Sequence, residues 1–196
     1  MLVTDDDLLR GRDPVAVAEA AVRAGVTSVQ LRLKRASPRE LLRLAVLLRG
    51  RLPVPVIVND RADVAAAAGT GVHLGPDDLP VALARSILPV GALIGASVGT
   101  LDEAPNGAAA SYWGVGPWRG TGTKSDAGGA IGAEGLRRIV ALAGAIPCVA
   151  IGGIRPQDLA AVRAAGAVGV AVSSGLLGEE RIEEAARRYQ EAWGGG

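Results

Sequence analysis

Short apolar segments alternate along this chain with longer segments in which apolar residues recur at helical spacing. The short segments are β-branched or continuously apolar, which is typical of strands buried on both faces of a parallel sheet. They lie at residues 1–4, 28–33, 54–59, 71–74, 92–97, 112–116, 147–153 and 169–174. Because a helical segment follows each one, the pattern predicts eight βα units, which can close into a (β/α)8 TIM barrel of the α/β class.

Local signals mark where the helices between these strands begin. Asp13 precedes Pro14, as a capping residue precedes a proline in the first helical turn. Ser37 is followed three residues later by Glu40, which is the spacing of a capping box. The fifth connection contains Pro-Asn-Gly at 105–107, so we predict only a single helical turn there.

The length of the chain suits one domain. At 196 residues each unit averages ~24 residues, near the lower end for such barrels. We therefore expect one compact domain over residues 1–196, with a frayed tail at 193–196. An open, doubly wound sheet is the alternative, but no G-x-G-x-x-G follows the first strand.

Composition and charge exclude several classes of partner. The net charge is +1 and aromatic residues make up 3% of the chain, which disfavours nucleic-acid binding. No apolar run approaches the ~20 residues that span a bilayer. Cys148 is the only cysteine, and no signal-peptide pattern opens the chain, so we expect a cytoplasmic protein. The sequence does not indicate the oligomeric state, so a homo-oligomer is one possibility.

Residue types that the chain otherwise avoids gather where the predicted strands end. Of 21 basic residues only Lys34 and Lys124 are lysines. Both lie near the ends of predicted strands, and so does the sole histidine, His73. In a barrel of this kind the active site lies at the carboxyl ends of the strands. Lysine is a compact, flexible charge that suits a phosphate group, so we predict that Lys34 and Lys124 meet at one anion.

Three polar residues alternate along the second predicted strand: Gln30, Arg32 and Lys34. A period of two directs them to the same face. A barrel interior is normally filled by Val, Ile and Leu, so inward-facing polar residues need a polar partner. An outward-facing polar stripe is the alternative, and it fits a helix-covered barrel less well.

Two carboxylates lie at neighbouring strand ends. Asn59-Asp60 closes the third strand, and Asp78 follows the fourth. Mg²⁺ takes one or two carboxylates and completes its octahedron with water and substrate phosphate, so the pair predicts a Mg²⁺ site. The alternative is that Asp60 caps the next helix, with Asp77 or Asp78 capping the one after.

The last two strands end in Gly152-Gly153 and Ser173-Ser174. In barrels these loops commonly form a phosphate site from backbone N–H groups and a short helix. Two anion sites flanking one cavity suggest the condensation of two phosphorylated molecules, or one bisphosphate. No nucleophilic triad or clear general base is visible, and the role of His73 stays open between structural and catalytic.

Motifs spanning nearly the whole chain resemble those of the thiamine phosphate synthase family, which belongs to a superfamily with the thiazole tautomerases. They are "LVTD", "VQLRLK", "VNDR", "GVHLGPDD", "IGASV", "YWGVGPWRGTGTKSDA", "VAIGGI" and "GVAVSSGLL". The resemblance implies a TIM barrel and a transferase of thiamine biosynthesis. It would condense 4-amino-2-methyl-5-hydroxymethylpyrimidine pyrophosphate with thiazole phosphate, with Mg²⁺ assisting the departure of pyrophosphate.

The resemblance also implies roles for individual residues. Those implied to hold the pyrophosphate are Arg32, Lys34, Asn59, Thr121, Thr123 and Lys124, with Arg32, Lys34 and Lys124 acting in catalysis. Those implied to hold Mg²⁺ are Asp60 and Asp78. Those implied to cup the thiazole phosphate are Gly153, Ser173 and Ser174, while Gln30 and Ser97 border the pyrimidine.

The chain departs from the family pattern at three places. Leu33 stands where an acidic residue is frequent, Gly99 where a histidine is common, and Trp118-Arg119-Gly120 where an apolar–Phe–Pro segment is frequent. A thiazole tautomerase uses a histidine where this chain has Gly116-Pro117, and proline cannot transfer protons. Two further alternatives are a non-catalytic binder of thiazole or thiamine phosphate and a phosphosugar isomerase.

Overall fold

A computed structural model describes residues 1–120 and 129–194 of the chain. Its eight strands form a single parallel sheet in chain order. They are β1 (Leu2–Val3), β2 (Val29–Leu31), β3 (Val56–Asn59), β4 (Gly71–Leu74), β5 (Ile94–Val98), β6 (Tyr112–Val115), β7 (Cys148–Ile151) and β8 (Gly169–Ala171). The predicted strands are all present, and most extend one to three residues less at their ends because the flanking residues turn into the loops.

The sheet closes on itself between its first and last strands. Leu2 forms a parallel bridge with Val172. The Val3 N–H donates to the carbonyl of Val172 at 2.9 Å, and the Val172 N–H donates to the carbonyl of Met1 at 3.0 Å. No strand edge is left between β1 and β8, so the predicted (β/α)8 barrel is confirmed.

Helices cover the outside of this barrel. They are α1 (Pro14–Arg23), α2 (Pro38–Arg51), α3 (Ala62–Ala68), α4 (Val81–Ile87), α5 (Gly132–Ala143), α6 (Leu159–Ala164), α7 (Ser174–Leu177) and α8 (Ile182–Gly194), with short 3-10 helices at Leu101–Gly107 and Pro156–Asp158. No helix in the described ranges is both long and apolar enough to cross a membrane. Because α8 includes Trp193 and Gly194, these two residues are helical rather than part of the frayed tail that the sequence suggested.

The starts predicted for α1 and α2 are confirmed, but the capping box predicted for α2 is incomplete. The Asp13 carboxylate accepts from the N–H groups of the first turn of α1, so the helix begins at Pro14 as expected. The Ser37 hydroxyl accepts from the Glu40 N–H at 3.2 Å. The Glu40 carboxylate does not complete the capping box, because it pairs with Arg43 at 2.8 Å on the exposed face of α2.

The fifth connection is helical but longer than the single turn that the sequence predicted, because its 3-10 helix of seven residues makes about two turns. Its 3-10 helix ends at Gly107, whose carbonyl accepts the indole N–H of Trp113 at 2.8 Å. A Cβ on Gly107 would lie only 2.2 Å from that indole nitrogen. The turn is therefore held close against β6, with no room for a side chain.

Aliphatic side chains fill the barrel and the layer beneath its helices. The largest fully buried ones are Leu2, Leu31, Leu48, Ile57, Leu74, Ile94, Leu136, Leu159 and Leu177. Five polar side chains are also buried among the described residues, and three of them, Thr4, Gln30 and His73, lie towards the carboxyl ends of β1, β2 and β4. Buried polar groups require hydrogen-bond partners, so this end of the barrel is where chemistry is to be sought.

Candidate active site

A cavity of about 510 Å³ lies at the carboxyl ends of the strands, and each of the eight strands contributes to its wall. Every described residue that the sequence placed in the site lines it: Gln30, Arg32, Lys34, Asn59, Asp60, Asp78, Ser97, Gly153, Ser173 and Ser174. Thr121, Thr123 and Lys124 lie outside the described residues. The convergence of distant segments at one cavity is therefore present for the part of the site that the structure describes.

Arg32 is held in place by the segment that follows β1. Its guanidinium Nη1 donates to the Asp5 carboxylate at 2.9 Å, and both side chains are largely buried, with exposed fractions of 14% and 13%. The Arg32 backbone N–H donates to the Thr4 hydroxyl at 2.8 Å. A charge-assisted pair with little exposure fixes direction as well as charge. Asp5 is the last residue of the motif "LVTD", but the sequence assigned it no role.

Asp6, which follows Asp5, holds the backbone of Lys34 in place. The backbone N–H of Lys34 donates to the Asp6 carboxylate at 2.8 Å. The Lys34 side chain lines the cavity, so Asp6 holds the backbone while the ammonium chain extends towards the site. The acidic run at the end of β1 thus orders the cationic end of β2.

Asp60 and Asp78 form a crowded pair of carboxyl groups. Burial, the negative charge of Asp78 and a hydrogen bond with that carboxyl raise the pKa of Asp60 to about 6, although Lys34 and Arg32 act in the opposite direction. Asp60 has a φ of 63°, in the left-handed region. Its N–H donates to the carbonyl of His73 at 2.8 Å, which holds this unusual backbone in place.

The alternative in which these residues are helix caps is wrong. The residue before α3 is Arg61, and no side chain caps this helix. Pro80 precedes α4, which also lacks a side-chain cap. Asp78 instead accepts from the Gly75 N–H at 2.6 Å, within the loop after β4. Neither carboxyl group serves a helix terminus, and both face the cavity.

The opposite end of the cavity is built mainly from backbone. Gly152 and Gly153 have φ values of 98° and 63°, conformations that favour glycine. A Cβ on Gly152 would lie 2.6 Å from Pro117. The Ser173 hydroxyl is buried without a hydrogen-bond partner among the described residues. A buried hydroxyl normally has a partner, so a ligand oxygen would complete this cup.

A family model described as thiamine monophosphate synthase matches residues 1–176. The chain belongs to this family. A thiamine-phosphate synthase of Azorhizobium caulinodans is 50% identical over 195 residues, which cover 95% of this chain and 90% of that protein. One from Methanoculleus marisnigri is 47% identical, with 97% and 92% covered.

Solved structures agree with this assignment. A thiamine phosphate pyrophosphorylase from Pyrococcus furiosus superposes with a TM-score of 0.86 at 35% identity, over 99% of this chain and 95% of that one. A phosphoribosyl anthranilate isomerase from Thermotoga maritima gives a TM-score of 0.66 at 18% identity, covering 100% and 98%. The second likeness shows the shared barrel alone.

Two departures from the family pattern have structural explanations. Leu33 is half-buried and packs against the apolar core, so it does not line the cavity. The Gly99 N–H donates to the Glu103 carboxylate at 2.6 Å. A Cβ at Gly99 would lie 2.8 Å from the carbonyl oxygen of Gly116, so this backbone has no room for the histidine common in the family.

The third departure lies at residues 118–120, in the loop that directly follows β6. The Trp118 N–H donates to the carbonyl of Ile151 at 2.8 Å, and the Arg119 N–H donates to that of Gly152 at 2.9 Å. The Arg119 guanidinium also pairs with Asp158. These bonds fasten the start of the loop to the end of β7, beside the cup.

His73 on β4 also lines the cavity. Its Nδ1 is 3.0 Å from the Tyr112 hydroxyl, and its Nε2 is 3.0 Å from the Ser97 hydroxyl. The sequence left the role of His73 open and did not select Tyr112. The register of β4 to β6, which brings these side chains together, cannot be read from either residue alone.

Proposed function

We propose that this chain condenses an aminopyrimidinylmethyl pyrophosphate with a thiazole phosphate, giving thiamine phosphate and pyrophosphate. Membership of the family and the names of its relatives support this activity. The observation that carries it is the two-ended cavity. Cationic and acidic side chains line one end, and the Gly153 and Ser173 cup lines the other.

The cationic end suits the pyrophosphate. Arg32 and Lys34 are the cations lining the described part of the cavity, and Asn59 adds a neutral donor beside them. We place Lys124 there as a third cation, assisted by Thr121 and Thr123. Preorganised cations in a partly buried site stabilise charge that develops on a leaving group, so Arg32, Lys34 and Lys124 would act in catalysis.

Asp60 and Asp78 suit Mg²⁺. Burial and the neighbouring Asp78 carboxyl raise the pKa of Asp60, and a divalent cation would offset the repulsion between the two carboxylates. The described residues hold no group of three or more His, Cys, Asp or Glu side chains placed to bind a metal, but Mg²⁺ needs only one or two carboxylates beside phosphate and water. When bound, Mg²⁺ neutralises charge on the pyrophosphate.

The cup suits the thiazole phosphate. The Ser173 hydroxyl lacks a partner among the described residues, and Gly153 lets the backbone approach a ligand closely. Ser174 begins α7 and lines the same wall. Backbone N–H groups at such a turn bind a phosphate without added charge.

The bond changes need no general base. The carbon–oxygen bond of the pyrimidinylmethyl pyrophosphate breaks, and the electron pair leaves with the pyrophosphate. The ring nitrogen of the thiazole supplies the pair that forms the new carbon–nitrogen bond. That nitrogen carries no hydrogen, so no proton must be removed. Gln30 and Ser97 border the space between the two anion sites, where the pyrimidine would lie.

The direct test incubates the protein with both substrates and Mg²⁺ and measures thiamine phosphate and pyrophosphate together. Equal molar yields of the two products are expected, with neither formed when one substrate is left out. Release of pyrophosphate without thiamine phosphate would contradict the proposal. We also propose a cytoplasmic location, since Cys148 is a buried free thiol. We propose a single folded domain as well, since all eight described strands belong to one sheet.

A further inference from the structure

A buried chain of polar groups connects the barrel interior with the cavity. Tyr112 and His73 are 7% and 8% exposed. The Tyr112 hydroxyl is 3.0 Å from His73 Nδ1, and His73 Nε2 is 3.0 Å from the Ser97 hydroxyl. Ser97 and His73 line the cavity, whereas Tyr112 does not. Tyr112 can therefore influence a ligand only indirectly, through side chains that it contacts, and His73 is one of these.

Strand register makes room for this chain. His73 on β4 is opposite Gly95 on β5, and Gly95 is opposite Tyr112 on β6. A Cβ on Gly95 would lie 2.4 Å from both His73 Nδ1 and the Tyr112 hydroxyl oxygen. A Cβ on Gly114 would lie 2.8 Å from His73 Cε1. The imidazole thus has room because Gly95 and Gly114, which both lie against the ring, have no side chains.

The proton of the Tyr112 hydroxyl has a preferred direction. Burial raises the pKa of Tyr112 well above its ordinary value, while a hydrogen bond with Gln30 lowers that pKa in part. The phenol therefore stays protonated at neutral pH. A phenol is a stronger hydrogen-bond donor than an alcohol, and its oxygen is a weaker acceptor than an imidazole nitrogen. The phenol proton of Tyr112 is therefore directed to His73 Nδ1, which is 3.0 Å away.

The direction of the hydrogen bond between His73 and Ser97 follows from which ring nitrogen carries the proton. A neutral imidazole carries one proton, so an Nδ1 that accepts leaves the proton on Nε2. Nε2 then donates to the Ser97 oxygen. Since Ser97 lines the cavity, its own hydroxyl proton can be presented to a ligand acceptor there.

We propose that Tyr112 is a positioning residue that holds His73 in its Nε2–H tautomer and thereby makes Ser97 a hydrogen-bond donor to the substrate in the cavity. A donor at this point selects a ring nitrogen of a heteroaromatic substrate rather than an amino group. That choice of ligand rests on the proposed function, whereas the tautomer does not.

Nitrogen NMR tests the tautomer without substrate. His73 is the only histidine, so protein labelled with ¹⁵N-histidine reports one ring. We expect the proton on Nε2 in the wild type and a mixture of tautomers in Tyr112→Phe. The matched control is Tyr189→Phe, which removes the other tyrosine hydroxyl, a buried donor to the Ile154 carbonyl at 2.7 Å. It should leave the His73 signals unchanged.

Either of two results overturns the tautomer assignment. One is a wild-type proton on Nδ1, which needs no variant and so survives any failure of Tyr112→Phe to fold. The other is an unchanged tautomer ratio in folded Tyr112→Phe.

Kinetics test whether Tyr112 acts through Ser97. We expect Tyr112→Phe to raise KM for the pyrimidine substrate about tenfold, the scale of one hydrogen bond, with KM for thiazole phosphate unchanged. In a Ser97→Ala background the same change should have little further effect, because the group through which it acts is gone. Equal losses in both backgrounds would overturn the proposal. If no thiamine phosphate forms at all, the proposed function fails while the NMR result stands.

Discussion

The two ends of the cavity differ in charge. Near β2 to β4, cations face a crowded carboxyl pair, and acidic residues after β1 hold the cationic segment in place. Near β7 and β8, the described wall has no charged side chain and consists of glycines, serines and apolar residues. A charged end can stabilise charge that grows during a reaction, whereas a neutral end binds a phosphate whose charge stays constant.

This difference indicates where catalysis and where binding should reside. Changes at the charged end should lower kcat, because they remove stabilisation of the leaving group. Changes at the cup should raise KM for one substrate only, because they remove an interaction that is equal in the ground and transition states. Each prediction below tests this division.

The largest effect is expected for Asp60→Asn. If Asp60 is a Mg²⁺ ligand as proposed, removing its charge should weaken Mg²⁺ binding. The value of kcat should then fall by about 10²–10³ at a fixed Mg²⁺ concentration, the scale of one electrostatic contribution to catalysis. The matched control is Asp63→Asn, one turn away on α3, where the exposed carboxylate pairs with Arg61. Product formation at increasing Mg²⁺ measures the effect, and a wild-type rate would remove the metal site from the mechanism.

Asp5→Asn should have an intermediate effect. The amide keeps an acceptor for the N–H groups of Asp7 and Leu8 but gives up the charged bond that orients Arg32. We expect kcat to fall about tenfold, since charge-assisted bonds contribute roughly twice as much as neutral ones. Asp7→Asn is the control, because its pair with Arg35 is exposed. If Asp5→Asn instead lowered KM for the pyrimidine substrate at unchanged kcat, Asp5 would be competing with the pyrophosphate.

The predictability of this molecule follows from the range of the interactions involved. The alternation of strands and helices and the Asp13 cap depend on local sequence, and the barrel followed from them. Placing Gln30, Arg32 and Asp60 at one rim required only the rule that parallel strands end together. The convergence of the site was therefore accessible before any coordinates.

Contacts between distant segments were not accessible in that way. The Asp5–Arg32 pair joins residues far apart in the chain, and its partners are known only once β1 is placed beside β2. The link from Tyr112 to His73 depends on the register across Gly95. Glu40 met the capping-box spacing but pairs with Arg43, because an exposed carboxylate has several partners within reach.

A smaller, selective effect is expected for Ser173→Ala. KM for thiazole phosphate should rise about tenfold, as for loss of one hydrogen bond to a charged group, with KM for the pyrimidine substrate unchanged. The free protein should melt at a higher temperature, because a buried hydroxyl without a partner is removed. Thr70→Val is the matched control, since Thr70 is the other described residue with such a hydroxyl and lies before β4, away from the cavity. It should share the stabilisation but not the change in KM.

A higher melting temperature together with a higher KM in Ser173→Ala would show that the hydroxyl binds the ligand and does not stabilise the fold. A lower melting temperature with unchanged KM would mean that Ser173 supports the fold and that the cup binds through other groups.

The smallest effect concerns pH and distinguishes the two ends directly. The pKa of Asp60 is raised from 3.8 to about 6 in the folded protein, so between these values the folded state binds more protons than the unfolded state. Stability therefore falls as pH rises through this window, and the contribution of Asp60 is most favourable below it. Melting of the metal-free protein from pH 4 to pH 6.5 should show this trend, superimposed on the titration of other carboxyl groups. Asp60→Asn should lack it, and Ser173→Ala should keep it.

Mg²⁺ competes with the same proton, so adding it should stabilise the wild type more at pH 7 than at pH 5. Equal stabilisation at both values would mean that the ion binds elsewhere, and the contrast between a charged and a neutral end would then lose its physical basis.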